Sequence, residues 1–578
     1  MFFFVQNRVP VRLRNGFLSA CLLGAGLCAM AAATPGSSPD DVRIHVDAGN
    51  PGAPPKPIWA FFGYDEPNYT YTKDGRRLLS EISALSPVPV YIRVHNLLTS
   101  GDGQGALKWG STNAYTEDAS GNPRYDWTIV DRIFDAWVER GMRPVVEIGF
   151  MPQALSQRPE PYRHHWDPWQ HYQSIFTGWA QPPRDYRKWA ELVFQWVRHC
   201  VARYGKAEVA GWYWEVWNEP NIGYWQSTPE EYFKLYDFSA DAAKRALPEI
   251  RIGGPTTTGP AGPEAAKFLN DFLEHVVRGP NYATGGRGAP LDYISFHAKG
   301  RPKFVDGHVE MGPQFQLRDI GSGMRIAASF PELKRLPIIV GESDPEGCGA
   351  CPAAVNPANA YRNGPIYAAY TAATQMRARE LASEYGVNLE GTLTWAFEFE
   401  NQPWFAGFRD LATNGIDKPV LNVFRLFGLM VGGEVRVASE GATPLAEMLD
   451  KGVQGAPDLN ALATRDDHTV SVLVWNYHDD DVEAPPAHIA LGIDDLPREA
   501  RRVLTQQYRV DRTHSDAYSA WLAMGSPQSP TDRQYAELER SGQLQTAGSP
   551  QWLDVHDGRV GLHLELPREA VALVQLRW

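Results

Sequence analysis

The sequence has no block of lysine and arginine residues beyond its first 33 positions, and its formal net charge is −13. A nucleic acid or another polyphosphate is therefore not expected as a partner. Internal repeats are also absent, and the only compositionally biased tract is the proline- and glycine-rich stretch 34–57. Aromatic residues, by contrast, are abundant, with 19 Trp. Many lie in polar surroundings, as a sugar-binding surface requires, although large enzymes also have aromatic cores.

The N-terminal segment has the pattern of an export signal. Arg8, Arg12 and Arg14 precede the apolar stretch 16–33, which ends in three alanines. We therefore expect residues 1–33 to be a signal peptide and the remainder to be exported, either to the periplasm or to the medium. A retained membrane helix is the alternative, but the stretch is short and is followed at once by a proline-rich segment. Cys21 also stands in a sequence that resembles a lipoprotein cleavage site.

Cysteine is scarce, with five residues in the whole chain. Cys200 falls in a helical pattern and is expected to be a buried free thiol. Cys348 and Cys351 form a C-x-x-C pair, for which a metal site, a redox site and a small structural disulfide are the options. The flanking sequence offers no further metal ligands. In an oxidising compartment a local disulfide is the favoured interpretation, and we predict neither a metal nor a cofactor.

Between residues 58 and 432 the sequence alternates short apolar runs with longer amphipathic stretches, which is typical of β/α units. Amphipathic helices are predicted at 127–140, 186–204, 230–247 and 361–385. Eight strand-helix units predict a (β/α)8 TIM barrel, whose active site lies at the C-terminal ends of the strands. The eight predicted strands are 58–63, 89–95, 143–149, 211–219, 250–254, 291–297, 336–342 and 391–399.

After residue 432 short alternating segments predict a β-sandwich accessory domain, 433–578. A polar, helical insert is expected at 515–542. The segment 34–57 is predicted to be a linker, and residues 41–47 within it are expected to add a strand to the same sandwich. The predicted sandwich strands are 434–439, 469–477, 487–491, 502–509, 560–566 and 570–578.

Two carboxyl groups stand at the predicted active face of the barrel. Glu219 ends the fourth strand, where the neighbouring indoles of Trp214 and Trp217 are expected to favour its protonated form. Glu342 ends the apolar seventh strand. A single glutamate at the end of a strand would usually be part of a loop salt bridge. Two carboxyl groups that face each other are what glycoside hydrolysis requires, one to protonate the leaving oxygen and one to attack or to activate water. We therefore expect Glu219 to be the general acid/base and Glu342 to be the nucleophile.

Other polar and aromatic residues of the strand ends are candidates for binding a sugar. His95 and His297 end the second and sixth strands and are expected to bond sugar hydroxyls or a catalytic carboxylate, with a core histidine as the alternative. Trp395 is expected to stack under a pyranose ring. Glu400 is expected either to accept hydroxyl hydrogen bonds or to form a salt bridge. Glu147 and Glu215, which lie within strands, are interpreted as buried, paired carboxylates.

Several short motifs resemble those of known glycosidases. Asn218-Glu219-Pro220 resembles the motif of the whole clan of barrel glycosidases that have the acid/base on strand four and the nucleophile on strand seven. More specific motifs stand in the segments 125–127, 147–152, 212–221, 418–422, 514–518 and 524–528. Together they resemble glycoside hydrolase family thirty-nine, the family of β-xylosidases and α-L-iduronidases, and the resemblance covers nearly all of the chain after the leader.

The resemblance implies a retaining exo-glycosidase that needs no cofactor, with Asn218 as a ligand of the sugar 2-hydroxyl. The resemblance also implies that His297 and Trp395 belong to the donor subsite. It links Glu400 to that subsite less directly. The expected activity is that of a β-D-xylosidase acting on xylo-oligosaccharides. Where the family often has a tyrosine, this chain has Lys299, which keeps a uronic-acid glycosidase of the iduronidase type open. An α-L-arabinosidase, an exopolysaccharide glycosidase and a non-catalytic carbohydrate-binding barrel are the further alternatives.

Overall fold

The structure is a computed structural model that describes residues 41–85, 87–105, 107–162, 168–169 and 178–578. The predicted signal peptide, 1–33, and a histidine pair at 164–165, which we expected to be a surface or lid feature, lie outside the described residues. Within the described ranges, no helix is long and apolar enough to cross a membrane.

Eight parallel strands close into a barrel. The last two segments of the barrel sheet make the closure, because Asn388–Thr392 pairs with the seventh strand while Thr394–Trp395, directly after it, pairs with the first. The fold prediction is thereby confirmed. In chain order the strands are Phe61–Tyr64, Tyr91–Val94, Arg143–Ile148, Tyr213–Val216, Arg251–Thr257, Tyr293–Lys299, Pro337–Asp344 and the split eighth strand Asn388–Thr392 with Thr394–Trp395.

Helices follow the barrel strands and cover the sheet. Two of them begin at side-chain caps, where Asp185 and Thr228 accept backbone N–H groups of the first helical turn. The predicted helix at 361–385 starts later than expected, because a 3-10 turn, Pro357–Asn363, precedes it. The helices of the barrel region are Lys73–Ser83, Thr128–Val138, Tyr186–Tyr204, Lys206–Ala210, Pro229–Ala246, Pro263–Arg278, Pro313–Ala328, Ile366–Tyr385 and Pro419–Gly428.

The barrel interior is closed by large side chains. Phe61, Tyr213 and Tyr293 pack there with aliphatic residues from other strands. Glycines make room for two of these rings, since a Cβ on Gly253 or Gly391 would lie 2.5 Å from Tyr293 or Phe61. The filled interior leaves the polar chemistry to the C-terminal rim of the strands.

The C-terminal region is an antiparallel-rich sheet assembly of ten strands. As predicted, an N-terminal strand, Val42–Asp47, joins it between Gly433–Ser439 and Ala487–Asp494. The insert forms two helices, Ala517–Ala523 and Asp532–Gly542. Trp521 of the first helix packs against Phe405 of the barrel region. The remaining strands are Asp458–Arg465, Thr469–Tyr477, Arg502–Val510, Gln545–Thr546, Gln551–Asp554, Val560–Leu566 and Val571–Arg577, and a helix spans Leu445–Lys451.

Candidate active site

A pocket of about 1000 Å³ opens at the C-terminal ends of the barrel strands. Both carboxylates that the sequence singled out line it, together with His95, Asn218 and Trp395. Its walls are completed by the turns and loops that follow strands four to seven. The pocket therefore lies at the face of the barrel where the sequence predicts the active site.

Glu219 lies three residues beyond the end of the fourth strand, which stops at Val216 instead of reaching Glu219 as predicted. The backbone turns sharply there, with a positive φ at Trp217 (73°) and at Glu219 (43°). Such backbone angles are costly for residues other than glycine and are concentrated at functional sites. The N–H of Glu219 donates to the carbonyl of Thr256, which fixes this turn against the fifth strand.

The two indoles that we expected beside the Glu219 carboxyl do not face the pocket. Trp214 packs away from the pocket against Trp196 and Trp212, and Trp217 packs against Phe150. Neither indole lines the pocket. The strand pleat explains Trp214, because alternate side chains point to opposite faces of the sheet.

Glu342 lies within the seventh strand, is only 5% exposed, and is surrounded by cationic groups. Its Oε2 is 2.8 Å from Lys299 Nζ, and its Oε1 is 3.2 Å from Arg93 Nη1 and 3.5 Å from His95 Nε2. Burial by itself would raise the pKa of Glu342, but Lys299, His297, His95 and Arg93 together hold that pKa well below its usual range. Glu342 is therefore an anion at neutral pH.

His297 links the two carboxylates. Its Nδ1 is 2.9 Å from Glu219 Oε1 and 3.7 Å from Glu342 Oε1. The side chain is fully buried, and its Nε2 has no hydrogen-bond partner among the described residues. Gly341 leaves space for the ring, since a Cβ there would be 3.2 Å from His297 Cδ2. His297 thus contacts the acidic pair and does not line the pocket surface.

Arg93 is the centre of the polar network beneath the pocket, and the sequence analysis did not single it out. Its guanidinium is fully buried and donates to Glu215, to Glu147 Oε2 at 3.0 Å, to Asn218 Oδ1 at 2.9 Å and to Glu342. Glu215 and Glu147 are thus the buried, paired carboxylates that were expected. The signal was present in the sequence as an arginine inside an otherwise apolar barrel strand, where a buried charge needs several partners.

His95 is held between carboxylates. Its Nδ1 is 2.6 Å from Glu147 Oε2, and its Nε2 faces both Glu342 and Asp65 Oδ1 at 3.6 Å. Burial would lower the pKa of His95, but Glu147 and Glu342 raise it to about 9, so the ring is an imidazolium at neutral pH. Both ring nitrogens then donate to carboxylates. The structure thus places His95 against Glu342 at the pocket wall.

Trp395 and Glu400 have different surroundings. The Trp395 ring lines the pocket and packs on His95, with a centroid separation of 4.4 Å, and on the Arg93 guanidinium. It can lie so deep only because residue 63 is glycine, whose Cβ would stand 2.4 Å from the indole. Glu400 does not line the pocket, and its buried Oε2 has no hydrogen-bond partner in the described part of the chain.

Lys299 and Asp344 form a second polar group at the pocket edge. Lys299 Nζ bridges Glu342 Oε2 and Asp344 Oδ2, the latter at 3.1 Å. Asp344 in turn accepts the backbone N–H of Trp395 at 3.1 Å from either oxygen. The end of the seventh strand therefore fixes the end of the eighth.

The loop after the seventh strand contains a disulfide between Cys348 and Cys351, whose Cα atoms are 5.6 Å apart. Both cysteines line the pocket. Beneath the loop, the fully buried Arg362 donates to Glu346 and to the carbonyls of Cys348 and Cys351. Cys200 is the buried free thiol that was expected.

The geometry defines the chemistry that the pocket can support. Because one nitrogen of His297 contacts an oxygen of each carboxylate, those two oxygens cannot be farther apart than 6.6 Å, the sum of the two contact distances. A (β/α)8 barrel with two carboxylates at its C-terminal rim, one on strand seven and one in the turn after strand four, can support glycoside hydrolysis.

Comparison with known proteins agrees with this class. Residues 42–550 match the model of the glycosyl hydrolases family 39, and the chain belongs to that family. A β-xylosidase of Geobacillus stearothermophilus is 26% identical over 84% of this chain and 86% of its own length. An α-L-iduronidase of Mus musculus is 25% identical over 92% of this chain and 80% of its own length. The crystal structure of a monomeric β-xylosidase from Caulobacter crescentus shares the fold, with a TM-score of 0.71, 23% identity and coverage of 93% and 99% of the two chains.

Proposed function

We propose that this protein is a retaining exo-glycosidase that works by double displacement. Glu342 attacks the anomeric carbon, and Glu219 protonates the leaving oxygen and then deprotonates the incoming water. The observation that carries the proposal is the contact of both carboxylates with His297. Its upper limit of 6.6 Å, which applies to the two oxygens that contact His297, is compatible with the separation of about 5–5.5 Å between carboxyl groups that direct attack requires.

The charge state of Glu342 suits a nucleophile. Its depressed pKa keeps it ionised across the neutral range, and Arg93 and His95 orient the carboxylate from below. Glu219 has no cationic lysine or arginine within ion-pair distance among the described residues, and it faces His297 and the anionic Glu342 instead. In this scheme His297 holds the two carboxyl groups at a fixed separation, while Asn218, fixed by Arg93, offers its amide to the sugar 2-hydroxyl.

For the sugar, we propose β-D-xylose released from xylo-oligosaccharides. Relatives of this activity match most of the chain, and carboxylate residues outnumber cationic ones in the pocket lining, which favours a neutral ring. The Trp395 indole offers an apolar surface for the C–H face of that ring.

A second candidate is an α-L-iduronide or a related uronic-acid glycoside, and the observation that favours it is Lys299. Its ammonium lies 2.8 Å from Glu342 Oε2 at the pocket surface. An α-L-iduronide and a β-D-xyloside have the same configuration from C1 to C4 and differ at C5, which bears a carboxylate in the first and only hydrogens in the second. A cation beside the nucleophile is where such a carboxylate would be recognised.

One experiment separates the two candidates and tests the whole proposal. The purified protein is assayed with matched aryl β-D-xyloside, α-L-iduronide, α-L-arabinoside and β-D-glucoside. The leading proposal expects kcat/KM to be highest for the xyloside, and a preference for the iduronide would replace xylose with the uronic acid. If no aryl glycoside is hydrolysed and the protein still binds xylo-oligosaccharides, the chain is a non-catalytic carbohydrate-binding barrel.

We also propose that the protein is exported after removal of residues 1–33, on the basis of the basic and apolar leader. N-terminal sequencing of the protein from a periplasmic fraction should begin close to Thr34. A protein that stays in the cytoplasm with its leader intact would refute this.

A further inference from the structure

The pocket contains an exposed aliphatic side chain three residues after Glu219. Ile222 is 41% exposed, although it lines the pocket wall. In the free protein this isoleucine keeps part of its apolar surface in contact with water. Such a residue becomes favourable when a ligand covers it.

The turn that carries Ile222 is rigid. The Ile222 N–H donates to the carbonyl of Glu219, and the Ile222 carbonyl accepts from Trp225. Next to it, Asn221 donates through Nδ2 to Thr258 Oγ1 at 2.7 Å and accepts the Thr258 N–H through Oδ1 at 2.9 Å. These bonds tie the turn after the fourth strand to the loop after the fifth. Ile222 is thus held in the pocket by its backbone and cannot fold away.

Other apolar residues line the same pocket. Pro263 and Ala265 come from the first turn of the helix Pro263–Arg278, which follows the fifth strand, and Val355 comes from the loop after the disulfide. The cationic groups that hold Glu342, by contrast, come from strands two and six. The segments after strands four and five therefore add apolar side chains to the pocket wall, beside polar ones such as Glu264.

We infer that Ile222 is a specificity-determining residue that forms the platform for the leaving group. The inference rests on the proposed function, in which Glu219 must reach the glycosidic oxygen, so that the leaving group lies on the Glu219 side of the pocket. The ring of the leaving group packs one apolar face against Ile222. The substrate class is accordingly a glycoside whose leaving group contains at least one ring, either a second sugar with its C–H face or an aromatic group.

The test compares leaving groups of different size in wild type and Ile222→Asn. Three substrates share the same glycosyl group: the disaccharide, the 4-nitrophenyl glycoside and the glycosyl fluoride. Fluoride is a single atom and cannot reach the turn. We expect kcat/KM to fall roughly 10-fold for the disaccharide and the aryl glycoside, and to be unchanged for the fluoride. A loss with only one of the two ring-bearing substrates would identify which ring the platform accepts.

Two controls make the result decisive. Ile222→Val, which keeps an aliphatic surface, should retain most activity with every substrate. Leu522→Asn changes a similarly exposed aliphatic residue, 47% exposed, on the helix Ala517–Ala523 outside the pocket, and should have no effect. Equal losses of Ile222→Asn on fluoride and ring-bearing substrates, or no loss on any, would overturn the platform. If the wild type hydrolyses no glycosyl fluoride at all, the proposed hydrolysis would be overturned. The platform, which rests on that proposal, would then be overturned as well.

Discussion

Oxygens of Glu219 and Glu342 contact the same atom, His297 Nδ1, at 2.9 and 3.7 Å. A histidine shared in this way holds the two carboxyl groups close to each other, while the second oxygen of Glu342 pairs with Lys299. The several cationic neighbours of Glu342 keep that carboxylate ionised.

The first prediction concerns stereochemistry. With the carboxylates this close, hydrolysis should proceed with retention of anomeric configuration. Proton NMR of the first-formed sugar should therefore show β-xylose from a β-xyloside, before mutarotation. If α-xylose is released first, Glu342 does not act as the nucleophile.

Replacement of the two carboxylates should give different patterns. Glu342→Ala should lose turnover completely, because the covalent step has no nucleophile, and added azide should partly restore release of an activated aryl group with inverted product geometry. Far-ultraviolet circular dichroism of the variant should match that of the wild type. Activity that survives in Glu342→Ala would remove this residue from the mechanism.

Glu219→Ala should depend on the leaving group. A general acid contributes about 10²–10⁴-fold to cleavage of poor leaving groups and little to that of activated ones. Turnover of xylobiose should therefore fall by that order, while 2,4-dinitrophenyl xyloside should be affected mainly in the second, water-dependent step. An equal loss at the first step with both substrates would contradict the acid role.

Lys299→Met tests the electrostatic environment of the nucleophile. The ammonium lowers the pKa of Glu342, so activity should persist as the pH falls until that carboxylate is protonated. Removing the cation raises the pKa of Glu342, and the acidic limb of the kcat/KM profile should move to higher pH. Lys267→Met, which removes an exposed lysine paired with Asp271, is the matched control and should leave the profile unchanged. An unmoved acidic limb in Lys299→Met would show that Lys299 does not act on Glu342.

The sequence predicted the scaffold well because its signals are local. The barrel strands read as apolar runs, and Glu342 lies on one of them, so its position at the rim followed from the strand period. The strand end at Val216 was missed because the turn through Trp217 and Glu219 depends on contacts with the fifth strand. Arg93 was missed for a similar reason, since its partners are separated by up to 249 positions in the chain.

The distinction between contact with a sugar and contact with a carboxylate also required coordinates. His95 and His297 looked equivalent in the sequence, as histidines at the ends of strands. In the structure one is an imidazolium between Glu147 and Glu342, and the other links Glu219 to Glu342. These differences arise from the way in which neighbouring strands are arranged around the barrel. The sequence of a single strand does not contain that information.

His95 should make stability depend on pH. Its folded-state pKa of about 9 exceeds the ordinary 6.5, so its stabilising contribution is complete below pH 6.5 and is lost as the pH rises towards 9. The shift corresponds to about 3 kcal/mol. The difference in free energy of unfolding between wild type and His95→Asn should shrink by about that amount between pH 6 and pH 9.5, as measured by urea denaturation. The exposed His468→Asn is the control, and a difference that stays constant with pH in His95→Asn would contradict the assignment.

The disulfide provides the last prediction. Closing a loop of four residues between Cys348 and Cys351 should stabilise the fold by roughly 2 kcal/mol through the entropy of the unfolded chain. The double variant Cys348→Ser, Cys351→Ser should therefore unfold at lower denaturant concentration. Because both cysteines line the pocket and the loop carbonyls are held by Arg362, we also expect KM to rise more than kcat falls. Mass spectrometry of the alkylated protein without residues 1–33 should show one modified thiol, at Cys200, after unfolding without reductant. Three modified thiols, or a KM that is the same in both proteins, would remove the disulfide from the pocket wall.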